Sequence, residues 1–84
     1  MNQRHRKTLE AVFARPVKAN IRWSRIEALL EVTGAEIEQR AGSRIAVVFG
    51  DEVAIFHRPH PSPDADKGAV AAVRRLLERR GIRP

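Results

Sequence analysis

The sequence predicts an α+β domain in which helices flank a three-stranded antiparallel sheet, in the order α-α-β-β-β-α. Apolar residues recur at helical spacing in three segments, two in the first half of the chain and one at its end. Between residues 35 and 57 they instead alternate with polar residues or form β-branched runs, as strands do. The length of 84 residues allows one domain with one small core.

The first helix is predicted between residues 4 and 14, where Leu9 and Val12 share one face. Pro16 ends this helix, because proline disfavours the helical conformation of the residue before it. Residues 17–21 then form an extended linker.

The second helix is predicted to begin near Ser24, whose side chain is a favourable N-cap. Its buried stripe includes Trp23, Ile26 and Leu30, so we expect the indole to lie in the core. Gly34 ends the helix, since glycine readily adopts the left-handed conformation after a last turn.

Three strands follow, over residues 35–39, 44–49 and 52–57. Gly50 and Asp51 form a two-residue hairpin turn between the second and third strands. In that register Arg44 lies directly opposite His57 on the same face of the sheet. The hairpin therefore places a guanidinium beside an imidazole.

Both faces of this hairpin carry apolar side chains, with Val53 and Ile55 on one face and Ala54 and Phe56 on the other. A single layer of helices covers only one face, so the second face needs another cover. We expect the first helix to provide it, with a second copy of the chain or a partner protein as alternatives.

The prolines between residues 58 and 63 exclude regular strand pairing there. The last helix opens near Asp64 or Asp66, because a carboxylate stabilises a helix N-terminus, and it ends before Gly81. Its arginines flank an apolar stripe that contains Val70, Val73, Leu76 and Leu77.

The net charge of +6 is unevenly distributed. Residues 1–22 carry six basic side chains and one acidic, and residues 58–84 carry seven basic and three acidic, around a mildly acidic middle. Such basic blocks favour an anionic partner, most simply nucleic acid. With no cysteine, no long apolar segment and no signal-peptide pattern, we expect a soluble, cytoplasmic domain without disulfides or thiol chemistry.

The candidate catalytic residues are His57 and His60, because histidine transfers protons near neutral pH. Arginines bind phosphodiesters through charge-assisted hydrogen bonds, and the candidate RNA-binding residues are Arg44, Arg58, Lys67, Arg74 and Arg75. A metal site at His57, His60, Asp64 and Asp66 is a weaker alternative, since the spacing matches no known zinc pattern and the nearby arginines repel cations. We therefore predict neither a metal nor a cofactor.

The order of several segments resembles the HicA family of toxins. The resemblance rests on the runs at residues 23–30, 34–36, 42–44, 73–77 and 81–82. It covers residues 22–82 and leaves residues 1–21 as an added helix and linker. The resemblance implies a double-stranded-RNA-binding-domain-like fold, cleavage of messenger RNA without a metal (mRNA interferase activity), and neutralisation by an acidic HicB-like antitoxin.

One position departs from the family pattern. The glycine–serine turn is present as Gly42 and Ser43, but Arg44 stands where the resemblance places the catalytic histidine. One hypothesis is that His57, on the neighbouring strand, has taken over proton transfer in an RNA-cleaving toxin. The alternative is a non-catalytic RNA-binding or protein-interaction module on the same fold. Whether copies of the chain associate stays open.

Overall fold

The computed structural model describes residues 1–84 and contains three helices and one three-stranded antiparallel sheet. The elements are α1 (Gln3–Val12), α2 (Trp23–Val32), β1 (Glu36–Gln39), β2 (Arg44–Phe49), β3 (Glu52–His57) and α3 (Lys67–Arg79). The predicted α+β class and the order α-α-β-β-β-α are confirmed, and the arrangement is consistent with a double-stranded-RNA-binding-domain-like fold. None of the three helices has the length and apolar character needed to cross a bilayer.

Helix α1 begins at an N-cap that the sequence analysis did not name. The Asn2 side chain accepts a hydrogen bond of 2.9 Å from the backbone N–H of His5, which satisfies one of the free donors of the first turn. Leu9 and Val12 are buried as predicted, and the helix ends well before Pro16.

The predicted N-cap of α2 is wrong. Ser24 lies inside the helix, and Arg22 is the N-cap residue without a side-chain capping bond. A contact from a distant segment sets this boundary: the Trp23 N–H donates to the carbonyl of Pro63 at 2.9 Å, and Arg22 forms an isolated β-bridge with Asp64. This tertiary pairing outweighs the local preference for serine at the cap.

The sheet has the order β1-β2-β3, and its register agrees with the prediction. Arg44 pairs with His57, and Phe49 pairs with Glu52 around the turn at Gly50 and Asp51. Gly50 has a φ of 57°, a conformation that suits glycine in a hairpin turn.

One face of the sheet packs against α2 and α3. Ile45, Val47 and Phe56 lie in a single core cluster of 17 buried residues to which all three helices contribute. The rings of Trp23 and Phe56 are 5.5 Å apart, so the predicted burial of the indole is confirmed. Each fully buried aliphatic side chain of this core contributes about 1.5–3 kcal/mol to folding.

The expectation that α1 covers the second sheet face is wrong. Helix α1 packs against α2 and α3 instead, because the linker is fixed beside the start of α3 through a hydrogen bond from the Ala65 N–H to the Ile21 carbonyl. The outer face therefore stays open, and Val53 and Ile55 on it are 55% and 52% exposed.

Helix α3 begins at Asp66, one of the two predicted caps. The Asp66 carboxylate accepts from the Ala69 N–H at 2.7 Å, whereas Asp64 is engaged in the bridge to Arg22. The helix ends before Gly81, as predicted.

Candidate nucleic-acid interface

Arg44 and His57 lie side by side at one end of the outer sheet face. The carbonyl of Arg44 accepts the N–H of Arg40 on the β1 side, so Arg44 directs its backbone groups away from β3. The Arg44–His57 pair is therefore a non-hydrogen-bonded antiparallel pair, in which Cα atoms are about 4.5 Å apart and side chains are closest. Both residues are exposed, so this pair faces solvent.

Most of the Arg44 guanidinium is free to meet a ligand. Its Nε donates a long hydrogen bond of 3.4 Å to the carbonyl of Ala41, and it forms no salt bridge. Arg40, which lies opposite Arg44 on the other side, is paired with Glu38 at 2.9 Å. Arg44 is thus the available cation beside His57 on this face.

Arg58 follows His57 directly and is held by two residues of the fold. Its Nε and Nη2 donate to the two oxygens of Glu27 at 2.8 and 3.1 Å, and its Nη1 donates to the Gln39 side chain at 2.6 Å. The hydrogen bonds that Arg58 donates to Glu27, and the negative charge of that carboxylate, raise the pKa of Arg58, which stays cationic. Because guanidinium has five N–H donors, two remain for a phosphate.

His60 lies in the proline-rich loop after β3 and is exposed. The structure brings together no group of three or more His, Asp, Glu or Cys side chains with the geometry of a metal site. The residues of the metal alternative, which include Asp64 and Asp66, therefore do not converge; those two carboxylates serve the bridge to Arg22 and the cap of α3.

The three candidates on α3 form a separate basic surface. Lys67 and Arg74 are seven residues apart, so they lie on one side of the helix about 10 Å apart along its axis. Arg75 is exposed, while Arg74 is half-buried and its Nη1 is buried without an acceptor. No hydrogen bond or ion pair joins these residues to Arg44, Arg58 or His57.

The Arg44–His57 pair combines the two kinds of side chain that chemistry at a phosphodiester requires. The imidazole of His57 can move a proton, and the guanidinium of Arg44 beside it can neutralise charge on a phosphate oxygen. The loop that carries His60 leaves the same strand end. A phosphate at the outer face would meet both kinds of group.

The sequence analysis missed the residues that fix Arg58. Glu27 and Gln39 are 31 and 19 positions away from it in the chain. No local pattern marks either residue, because the contacts exist only once α2, β1 and the end of β3 come together. A basic cleft between α1 and α2 was missed for the same reason.

Comparison with known proteins gives one match. Residues 23–82 match the model of a family described as HicA toxin of bacterial toxin–antitoxin. No curated protein and no solved structure matches the chain. The matched residues include α2, the whole sheet and α3, and α1 lies outside them.

Proposed function

The chain belongs to the HicA toxin family of bacterial toxin–antitoxin systems, and from that premise we propose that it is an RNA-binding endoribonuclease that cuts messenger RNA without a metal ion. The observation that carries this proposal is the exposed pair of Arg44 and His57 on adjacent strands. The pair supplies a proton-transfer group and a phosphate-binding group at one point of the surface.

The proposed reaction uses the RNA's own 2′-hydroxyl as the nucleophile. His57 accepts the hydroxyl proton while the 2′ oxygen forms a bond to the adjacent phosphorus, and the bond from phosphorus to the 5′ oxygen breaks. His60 in its protonated form donates a proton to that leaving oxygen. The products are a 2′,3′-cyclic phosphate and a 5′-hydroxyl, so atoms and charges balance without a metal.

Five basic residues are proposed to bind the RNA. Arg44 contacts the scissile phosphate, and Arg58 uses the two N–H groups that Glu27 and Gln39 leave unpaired. Lys67, Arg74 and Arg75 bind phosphates farther along the strand through the basic side of α3.

The proposed partner is an acidic, HicB-like antitoxin that binds the outer sheet face. Val53 and Ile55 are more than half exposed on that face, and Ile55 is two residues before His57 on the same strand. A protein that buries these apolar side chains would also cover the Arg44–His57 pair. Occupation of this face would therefore explain neutralisation by steric exclusion of RNA.

A second candidate is a module that binds RNA without cutting it. The observation in its favour is Arg44, a residue that moves no proton at neutral pH, at the first position of β2. This candidate predicts salt-sensitive RNA binding and recovery of intact RNA after incubation.

Expression of the full chain in a bacterial host tests the toxin proposal. We expect growth arrest that the acidic product of an adjacent gene reverses and that the variant His57→Ala relieves. His57→Gln should relieve it equally, because an amide of similar size fills the position but transfers no proton. Arrest that persists in a variant lacking both His57 and His60 would contradict the catalytic assignment.

A further inference from the structure

A basic cleft lies between α1 and α2, apart from the Arg44–His57 pair. Its larger part has a volume of about 770 Å³, with Arg4, His5, Arg22 and Arg25 among its lining residues. An adjoining part of about 300 Å³ shares Arg22 and Arg25 with the first. We call these two parts together the α1–α2 cleft.

The α1–α2 cleft is strongly positive. The larger part contributes Arg4, and the adjoining part adds Lys7 and Lys18, so five cations line the cleft together with the two shared arginines. None of these five side chains takes part in a salt bridge. No aspartate or glutamate lines either part, so no carboxylate within the lining offsets their charges.

The charge is arranged in facing rows. Arg4 and Lys7 are one helical turn apart on α1, and Arg22 and Arg25 are one turn apart at the start of α2. Glu10 is the single acidic residue before Glu27 and lies outside the lining. Two rows of cations along a groove suit a chain of regularly spaced negative charges.

The side chains that line the α1–α2 cleft indicate which kind of anionic polymer can bind there. No Phe, Tyr or Trp lines either part, and the imidazole of His5 is the one aromatic ring of the lining, so a run of bases finds no continuous stacking surface there. Ala28 is the apolar residue of the larger part, and Ala11 and Ile21 are those of the smaller, which leaves no deep apolar pocket for an anchor residue of a protein partner. The sugar-phosphate backbone of a nucleic acid needs neither feature.

Resting on the RNA-binding function proposed above, we propose that the α1–α2 cleft is a second RNA-binding site, which binds backbone phosphates without sequence specificity. Helix α1 lies outside residues 23–82, so this site depends on a segment that the family match does not include. The α1–α2 cleft raises the affinity of the chain for RNA, and binding there does not require the Arg44–His57 pair.

Binding of an uncleavable single-stranded 2′-O-methyl RNA tests this proposal independently of cleavage. The full chain and the double variant Arg4→Ala/Arg25→Ala are compared by fluorescence anisotropy at several salt concentrations. Loss of two phosphate contacts should make the negative slope of log K against log salt less steep by about 1.4 and weaken binding at least about tenfold near 0.1 M salt. Arg4→Lys/Arg25→Lys should restore most of the binding.

The matched control is Arg6→Ala/Arg15→Ala, since neither arginine forms a salt bridge. These arginines are exposed and line neither part of the cleft, yet their removal changes the net charge equally. We expect this control to keep the salt slope of the unmodified chain. Equal losses in both double variants would overturn the site, as would a poly-glutamate peptide that binds as tightly as the RNA with the same dependence on Arg4 and Arg25.

Discussion

Glu27 binds Arg58 through both carboxylate oxygens and also accepts the indole N–H of Trp23. One carboxylate thus joins the buried start of α2 to the exposed end of β3. Arg58 directly follows His57, so this contact holds the end of β3 that carries the candidate catalytic histidine.

Replacement of Glu27 should destabilise the fold more than replacement of its partner. The Arg58 side chain is 42% exposed, so solvent screens the ion pair and we expect Arg58→Ala to cost about 0.5–1 kcal/mol. Glu27→Ala also leaves the buried indole N–H without an acceptor, which should raise its cost to about 1–2 kcal/mol. Urea unfolding measures the free energy of unfolding of both variants. The control is Glu31→Ala, since Glu31 is exposed and unpaired on the same helix. Equal losses of stability in Glu27→Ala and Glu31→Ala would contradict the contact.

The two residues that the sequence predicted as helix caps, Asp66 and Ser24, give a second comparison. Asp66→Ala removes the side-chain acceptor at the start of α3 and should lower the free energy of unfolding by about 1 kcal/mol. Ser24→Ala, the control, should change it by less than about 0.5 kcal/mol, because Ser24 is exposed inside α2 and caps nothing. A larger loss of unfolding free energy in Ser24→Ala than in Asp66→Ala would show that Ser24 caps α2 and that the helix begins later than Trp23.

Arg74 should lower the stability of the fold. Its buried Nη1 has no acceptor, so Arg74→Met should raise the free energy of unfolding by about 1 kcal/mol while it weakens RNA binding. Arg75→Met, at an exposed position, should leave stability within about 0.5 kcal/mol. Thermal unfolding distinguishes the two, and a clear destabilisation by Arg74→Met would mean that this guanidinium has a partner in the folded chain.

The open sheet face should determine antitoxin binding. Ile55→Arg places a charge among the exposed apolar side chains and should weaken the complex at least about tenfold, with the fold intact. Val32→Arg is a matched control, since Val32 is 49% exposed on α2, away from this face. Isothermal titration calorimetry measures the affinity of both variants for the antitoxin. Equal affinities of the two variants would mean that the partner binds elsewhere. A change in the oligomeric size of the isolated chain on Ile55→Arg would indicate that a second copy covers the face.

The strands and the Arg44–His57 pair could be predicted because their determinants are local. The alternation of residues around Gly50 and Asp51 determines both register and face. The apolar stripe of α3 and its Asp66 cap are likewise local signals.

Features that depend on distant contacts could not be predicted in this way. The start of α2 follows from a bridge between Arg22 and Asp64, 42 positions apart in the printed sequence. The position of α1 depends on how the linker meets the start of α3, so its packing against helices, and the basic cleft that results, have no sequence pattern of their own.

Cleavage of RNA by the purified chain in the presence of a chelator decides whether the Arg44–His57 pair is a metal-independent cleavage site. We predict fragments that end in a 2′,3′-cyclic phosphate, a loss of rate of about 100-fold or more in His57→Ala, and partial retention in Arg44→Lys but not in Arg44→Ala. Cleavage at the unmodified rate by the variant that lacks both His57 and His60, or intact RNA with the unmodified chain, would contradict the assignment of the Arg44–His57 pair as the cleavage site.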